Sequence, residues 1–157
     1  MRPTPLLIQL VIVALWLGGA ILFAAIVAPA LFAALPTRTL AGVVVGRVLP
    51  TIFYAGMVVG AIVIILELRE NGAWSWRGAE TPGAITLISC AIAQFVVAPR
   101  IERVRAEIGG AIETLAVDDA RRVQFGRLHG ASVAWLGLAM IAAAVAGFLA
   151  ARKLRES

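Results

Sequence analysis

The stretch PLLIQLVIVALWLGGAILFAAIVAPALFAAL, residues 5–35, contains no charged residue. Because an α-helix rises about 1.5 Å per residue, this run is long enough to cross the ~30 Å hydrocarbon core of a bilayer with length to spare. It exceeds the apolar region of a signal peptide, which is about 7–15 residues long. Pro29 predicts a kink within this helix, and Pro36 predicts its end.

Three further apolar runs follow the first. We predict four spans, at residues 5–35, 40–68, 81–98 and 130–151. Of the 157 residues 61% are hydrophobic, whereas ordinary globular chains are about 45–50% apolar. The predicted fold is an all-α integral membrane protein, a four-transmembrane-helix bundle in a single domain. We expect it to be a multi-pass protein of a bacterial inner membrane.

Apolar residues continue at helical steps beyond the third span, with charges on the other positions. They are Ile101, Val104, Ile108, Ile112 and Leu115. This pattern predicts an amphipathic helix of about 16 residues, bent at Gly109-Gly110, with Asp118 or Asp119 capping the next helix. Helices 3 and 4 would then extend beyond the bilayer as a charged hairpin at residues 99–129.

The second span contains the pattern GxxxG twice, at residues 42–46 and 56–60. Such spacing lets helix backbones approach closely in lipid. These glycines should face another helix, either in the same chain or in a second one. A homo-oligomer or a partner membrane protein held through Gly/Ala-rich helices is therefore expected.

The net charge of +5 points to lipids rather than to nucleic acid. The arginines cluster beside the spans, where they set topology and meet anionic head groups, and no interleaving of aromatic and basic residues favours nucleic-acid binding. Trp74 and Trp76 are expected to be interfacial anchors, and Cys90 a buried apolar side chain. Membrane lipids are the predicted partners.

Four spans place both termini on one side and the hairpin on the other, so polar residues at four helix ends should meet at one surface. Arg122, Phe125, His129 and Ser132 share one face of the last helix. A seven-residue step places Tyr54 on the face of Arg47. The candidate polar cleft consists of Arg38, Arg47, Tyr54, Gln94, Arg100, His129 and Ser132. Alternatively, Arg47 snorkels to lipid phosphates and His129 hydrogen-bonds at the interface.

Neither a metal site nor a catalytic site is predicted. Structural zinc needs four Cys or His ligands, and the chain has one of each. No carboxylate on the face of His129 and Ser132 would orient the imidazole for nucleophilic catalysis. Because the span interiors contain no Asp, Glu or Lys, a proton relay or cation pump is disfavoured. We therefore expect no enzymatic activity and no cofactor.

Four stretches of the sequence, taken in order, resemble the transmembrane protein 205-like family, which includes bacterial members known only as a domain of unknown function. They are GGAILFAAIVAPALF, RTLAGVVVGRVLP, VVAPRIERVR and FGRLHGASVAWLG. The resemblance implies four membrane helices with a charged hairpin between spans 3 and 4, and it implies no activity. Members often have Asn where this chain has Gln94.

Three functions remain open at this point. The first is a small membrane scaffold or accessory protein that binds a partner, suggested by the Gly/Ala-rich spans and the charged hairpin. The second is a carrier or binder of a small anionic or amphipathic molecule at a cleft lined by Arg38, Arg47, Arg100 and His129. The third is a haem-linked membrane protein with His129 as ligand.

Overall fold

The structure, a computed structural model, describes residues 3–74, 76 and 78–156. Four of its helices are long and apolar enough to cross a membrane, here termed spans 1 to 4: Thr4–Ala34, Arg38–Asn71, Glu80–Ile108 and Ala120–Glu156. No strand occurs among the described residues. The predicted all-α four-helix membrane bundle is confirmed. Large apolar side chains point outward, as lipid contact requires.

Single π-helical turns divide spans 1 and 3. In chain order the elements are α1 (Pro3–Leu22), a π-turn (Phe23–Val27), α2 (Ala28–Ala34), α3 (Arg38–Asn71), α4 (Glu80–Ile92), a π-turn (Ala93–Val97), α5 (Ala98–Ile108), a 3₁₀ turn (Ile112–Thr114) and α6 (Ala120–Glu156).

The two π-turns each precede a proline, Pro29 in span 1 and Pro99 in span 3. A proline ring lacks an N–H and collides with the carbonyl four residues back in a regular α-helix. Here the residue before each proline donates its N–H to the carbonyl five residues earlier, on Phe23 and on Ala93. The wider turn makes room for the ring. The kink predicted at Pro29 therefore takes the form of a π-turn, and span 3 repeats it.

The four spans pack in a ring, in which spans 1 and 3 each contact spans 2 and 4. The second GxxxG pair brings α3 against its neighbours. A Cβ atom on Gly56 would lie 2.6 Å from Cys90 Sγ, and one on Gly60 would lie 2.7 Å from the Gly83 carbonyl oxygen. The prediction that these glycines face another helix is confirmed, and that helix belongs to the same chain.

The hairpin is shorter in its first arm than predicted. Instead of continuing for about 16 residues, α5 ends at Ile108, because Gly109 adopts the left-handed conformation (φ 64°) that terminates helices. The fourth helix begins at Ala120, and Asp119 Oδ1 accepts the Arg121 N–H at 2.9 Å, as predicted for a capping residue. With 37 residues, α6 is about 55 Å long and extends beyond a bilayer core.

Candidate functional site

A cavity of about 540 Å³ lies on the hairpin side of the bundle, between spans 2, 3 and 4, and Phe32 of span 1 also lines it. Its wall on α3 extends from Arg38, at the start of the helix, to the buried Phe53. Fifteen helical steps correspond to about 22 Å along the axis. The cavity therefore reaches from the hairpin end of α3 deep into the bundle.

Spans 2, 3 and 4 each present one helical face to the cavity, with residues at steps of three and four positions. On α3 this face includes Gly42, Gly46, Leu49 and Phe53. On span 3 it includes Gln94, Ala98, Ile101 and Arg105. On α6 it includes Arg122, Phe125, His129 and Ser132. The face on α6 is the one that the spacing of these residues predicted.

Four of the seven predicted cleft residues line the cavity: Arg38, Gln94, His129 and Ser132. The other three are exposed and do not line it: Arg47, Tyr54 and Arg100. The seven-residue step does keep Arg47 and Tyr54 on one face of α3. The face that lines the cavity contains Gly46 and Phe53 instead, and the two faces are about 100° apart around the helix axis. Tyr54 instead packs edge-on against Phe95, with ring centroids 6.1 Å apart. Their assignment to the cleft is corrected accordingly.

The outer end of the cavity is charged, and Arg105 on α5 is its central group. Its Nη1 contacts Glu102 Oε1 at 2.6 Å, and its Nη2 donates to the Gly42 carbonyl at 3.4 Å. The Arg105 side chain is 19% exposed, while that of Glu102 is 60% exposed. The Nε atom of Arg105 is buried without a hydrogen-bond partner.

The 3₁₀ turn of the hairpin closes over the start of α3. Thr39 Oγ1 donates to Glu113 Oε2 at 2.6 Å and accepts the Ile112 N–H at 3.0 Å. The hydrogen bond from Thr39 lowers the pKa of Glu113, so this carboxylate is ionised at neutral pH. On the other side of the turn, Arg122 Nη1 donates to the Leu115 carbonyl at 2.7 Å. Both α3 and α6 thus hold the loop at the mouth.

His129 lies on the cavity wall but its side chain remains exposed, so it sits at an edge. Its ring is parallel to Phe125, with an interplanar angle of 4° and centroids 6.4 Å apart. The Arg105 guanidinium lies 5.8 Å from the centroid of the same Phe125 ring. Phe125 therefore links the histidine to the central arginine through one stacking and one cation–π contact.

The inner end of the cavity is mostly apolar, with Val45, Leu49 and Phe53 on its α3 side. Two polar groups interrupt it. Ser132 is 4% exposed, and Gln94 has a buried Oε1 without a hydrogen-bond partner. The cavity is therefore amphipathic along its length, with arginines and glutamates outside and hydrocarbon side chains inside.

Several groups at the mouth were absent from the predicted cleft: Thr39, Glu102, Arg105, Glu113 and Arg122. The spacing on α6 predicts Arg122 on the correct face, although the predicted cleft does not contain it. The spacing of Gln94, Ala98, Ile101 and Arg105 would have placed Arg105 on one face of span 3. No sequence signal indicated that the hairpin folds back to bring Glu113 to the mouth.

No group of three or more His, Cys, Asp or Glu side chains that could hold a metal ion occurs in residues 3–74, 76 and 78–156. The charged and hydroxyl groups at the mouth are hydrogen-bond donors and acceptors.

A family model for a domain of unknown function, DUF4149, matches residues 11–109. This region contains the α3 and α5 walls of the cavity, while the wall on α6 lies beyond it. Neither a curated protein nor a solved structure matches the chain. The match gives no support to the transmembrane protein 205-like name. Because it covers well over half of the sequence, the chain belongs to the DUF4149 family.

Proposed function

We propose that this integral membrane protein binds a small amphipathic anion in the cavity on the hairpin side. The observation that carries the proposal is a cavity of about 540 Å³ whose mouth is lined by arginines and whose depth is apolar. This volume is typical of sites for small molecules, which span about 300–1,000 Å³. The head group would meet Arg38, Arg105 and Arg122, and the apolar part would contact Leu49 and Phe53.

The balance of charges at the mouth supports binding of an anion rather than of a cation. Three arginines and two glutamates line the cavity, namely Arg38, Arg105, Arg122, Glu102 and Glu113. Glu102 already contacts Arg105, and Glu113 accepts from Thr39, so both carboxylates have partners. The buried Nε of Arg105 has none, although buried donors in native proteins almost always do. A phosphate or carboxylate oxygen would supply a charge-assisted hydrogen bond there.

The first experiment compares an alkyl phosphate with the alkyl alcohol and alkyl ammonium of the same chain length, binding to protein in neutral detergent. We expect the phosphate to bind most tightly and Arg105→Gln to weaken it. A hydrogen bond to a charged group contributes about 1.5–3 kcal/mol, so the loss should be roughly 10- to 150-fold in affinity. The control is Arg103→Gln, an exposed arginine on the same helix that does not line the cavity. Equal binding of phosphate and alcohol would contradict the proposal.

The second experiment blocks the cavity. Gly126 lines it, Gly130 does not, and a Cβ on either would have no heavy atom within 4 Å. Gly126→Phe should therefore abolish binding, whereas Gly130→Phe adds the same ring one helical turn away and should leave it intact. Unchanged affinity in Gly126→Phe would place the ligand elsewhere.

His129 and Ser132 test two depths of the same cavity wall. His129 lies at the edge of the cavity, and Ser132 lies about one turn deeper on α6. His129→Ala and Ser132→Ala should each lower the affinity for the alkyl phosphate, because each removes a hydrogen-bonding side chain from the wall.

A scaffold function is the second candidate. Gly56 and Gly60 pack within the chain and no longer support it, but Gly130 and Gly137 on α6 have open space at their Cβ positions. They are seven residues apart and share one face, on which a second copy or a partner helix could pack. Gly130→Leu with Gly137→Leu should then split a complex seen by native mass spectrometry.

Three finer assignments remain proposals. The haem-linked alternative would use His129, and a Soret band that persists through purification would support it. A location in the bacterial plasma membrane is testable by fractionation. No catalytic residue is proposed, and the transmembrane protein 205-like resemblance remains an interpretation of the motifs around Pro99 and His129.

A further inference from the structure

On the hairpin side, the ring of four spans is open between spans 1 and 4. On the terminus side, α1 packs on both α3 and α6. Beyond the π-turn at residues 23–27, α2 packs on α3 rather than on α6 in the described part of the chain. The cavity lies in this hairpin half of the bundle. Its side between α2 and α6 therefore lacks the helix contact that closes the terminus side.

Residues on both edges of this gap line the cavity and are also exposed. Phe32 on α2 lines the cavity and is 40% exposed. Gly126 and His129 on α6 line the cavity and are exposed as well. Residues that face the cavity and remain accessible from outside mark a place where the cavity reaches the surface of the bundle. These three residues are termed the portal.

The two edges of the portal lie at the same depth. Spans 1 and 4 are antiparallel, and Val13 Cγ1 would lie 3.3 Å from a Cβ on Gly147. Phe32 lies 19 residues after Val13, and His129 lies 18 residues before Gly147. Nearly equal numbers of residues cover nearly equal lengths of helix, at about 1.5 Å each. Phe32 and His129 therefore lie at one level, to within about one helical turn.

The other lateral sides of the cavity are bridged by contacts between the spans. Between spans 2 and 3, Arg105 Nη2 donates to the Gly42 carbonyl, and Tyr54 packs edge-on against Phe95. Between spans 3 and 4, α5 packs on α6. The portal is thus the side on which the cavity faces the surrounding lipid.

The hairpin holds its 3₁₀ turn over the aqueous mouth by hydrogen bonds to two spans. Thr39 Oγ1 donates to Glu113 and accepts the Ile112 N–H, while Arg122 Nη1 donates to the Leu115 carbonyl. Entry from water requires these bonds to break, and broken hydrogen bonds cost free energy. Entry through the portal requires only a rotation of the Phe32 side chain.

The charges of the two ends of the bundle favour an anionic head group at the hairpin end. Arginines line the cavity there, whereas the buried charged side chains at the terminus end are Glu67 and Glu80. Lys153 pairs with Glu67, and Asn71 donates to both glutamates. The expectation that span interiors contain no acidic residue is wrong at this end. The terminus end presents carboxyl rather than guanidinium groups, which disfavours an anion there.

The volume of the cavity limits the ligand to one alkyl chain. A water molecule takes up about 30 Å³ of liquid. A cavity of about 540 Å³ therefore holds about 18 groups of that size. One chain of about a dozen carbons with a phosphate head group fits this volume, whereas a phospholipid with two long chains exceeds it.

We propose that the ligand is a single-chain anionic lipid that enters the cavity sideways from the bilayer, through the portal between α2 and α6. This inference rests on the proposed binding function and adds the source of the ligand and its route. Phe32 lies two residues before Ala34, where span 1 ends, so the portal lies at the level of the lipid head groups. A lipid that enters there moves its chain from one apolar environment to another without exposing it to water.

The test measures how fast a probe enters and leaves the cavity of the full-length protein in phosphatidylcholine nanodiscs. The probe is dodecyl phosphate with a fluorine label at the end of its chain, and fluorine NMR gives the bound fraction and both rate constants. The association rate is the informative quantity. Loss of a contact to the ligand raises only the dissociation rate, whereas a wider entrance raises both rates.

Phe32→Ala widens the portal and should raise the association rate by roughly 2- to 12-fold, the factor that corresponds to the loss of one aromatic contact. Phe32→Trp narrows the portal and should lower this rate. Phe148→Ala is the matched control, since Phe148 is 68% exposed and does not line the cavity. Thr39→Val releases the 3₁₀ turn from α3 and should not raise the association rate.

Two competitors, added to the native protein, distinguish the sources of a phosphate group. Inorganic phosphate supplies it from water, and a phosphatidate with two long chains supplies it from the bilayer. Unlabelled dodecyl phosphate should displace the probe, and neither competitor should do so at the same concentration. Displacement by inorganic phosphate would place the source of the ligand in water, and equal displacement by the phosphatidate would overturn the single chain.

The possible failures of the two proposals differ. If native protein shows no bound probe, the proposed function is wrong and this inference is wrong with it. If the probe binds but its association rate does not rise in Phe32→Ala, only the portal is overturned, and a rise in Thr39→Val would then move the entrance to the aqueous mouth. The competition experiments need no variant, so they remain decisive even if a substituted chain fails to fold.

Discussion

Replacing Gly60 with alanine tests the closest helix contact in the bundle. The added Cβ would lie 2.7 Å from the Gly83 carbonyl oxygen and 2.9 Å from both the Cβ and the backbone N of Leu87. Because two of these three atoms belong to the backbone of α4, no change of rotamer relieves the clash. Overpacking costs about 1–3 kcal/mol, and the upper end of this range applies here. Alanine regains up to about 1 kcal/mol of helix propensity.

We therefore expect Gly60→Ala to lower the free energy of unfolding by about 2 kcal/mol. The measurement is titration from mild detergent into sodium dodecyl sulfate, followed by circular dichroism. The control is Gly18→Ala on α1, where a Cβ meets nothing within 4 Å, and this variant should be neutral or slightly stabilised. If Gly60→Ala unfolds at the same point as the control, α3 and α4 are not as close as described, and the packing argument is refuted.

Three further outcomes are expected. A topology reporter fused after Ser157 should be non-cytoplasmic, because the topology predicted from the sequence assigns eight Lys and Arg residues to the hairpin side and six to the terminus side; strong cytoplasmic activity would reverse this orientation. Trp16→Phe should lower the free energy of unfolding by about 0.5–1.5 kcal/mol, since it removes the Nε1 hydrogen bond to the Ile52 carbonyl at 2.9 Å. Hydrogen bonds with Arg121 lower the pKa of Asp119 from 3.8 to about 2. Ionised Asp119 should therefore stabilise the fold fully above its unfolded pKa and progressively less as the pH falls from about 4 toward 2. Asp119→Asn should remove this loss of stability from unfolding curves measured against pH.

The number and placement of the spans follow from the sequence because lipid offers the backbone no hydrogen bonds. An apolar run long enough to cross the bilayer must therefore be a helix. The position of Asp119 at the start of α6 and the shared face of Phe125, His129 and Ser132 were predictable for a similarly local reason. Side chains on one helix keep their relative angles whatever surrounds them.

The orientation of α3 about its axis was not predictable in the same way. In water, an apolar stripe marks the buried face, but in lipid the outer face is apolar as well. The exposed Val58 and the buried Val59 are the same residue type. The prediction for Arg47 depends on its charge near a helix end, and that for Tyr54 on its seven-residue spacing from Arg47. Lipid head groups satisfy a charged residue at a membrane surface equally well. The packing glycines were the better guide, since Gly46 faces the cavity and Gly60 faces α4.

One wall of the cavity includes a feature that hydropathy does not detect. The tripeptide Val-Ala-Pro occurs at residues 27–29 and again at residues 97–99, and a π-turn precedes the proline each time. Spans 1 and 3 run in the same direction, so both bends fall on the hairpin side. Beyond the first bend, α2 packs on α3 rather than on α6. The second π-turn contains Gln94, and α5 beyond it carries Arg105 to the mouth. Each of the two prolines requires a wider helical turn because it lacks an N–H, and the second of these turns contributes Gln94 to the cavity wall.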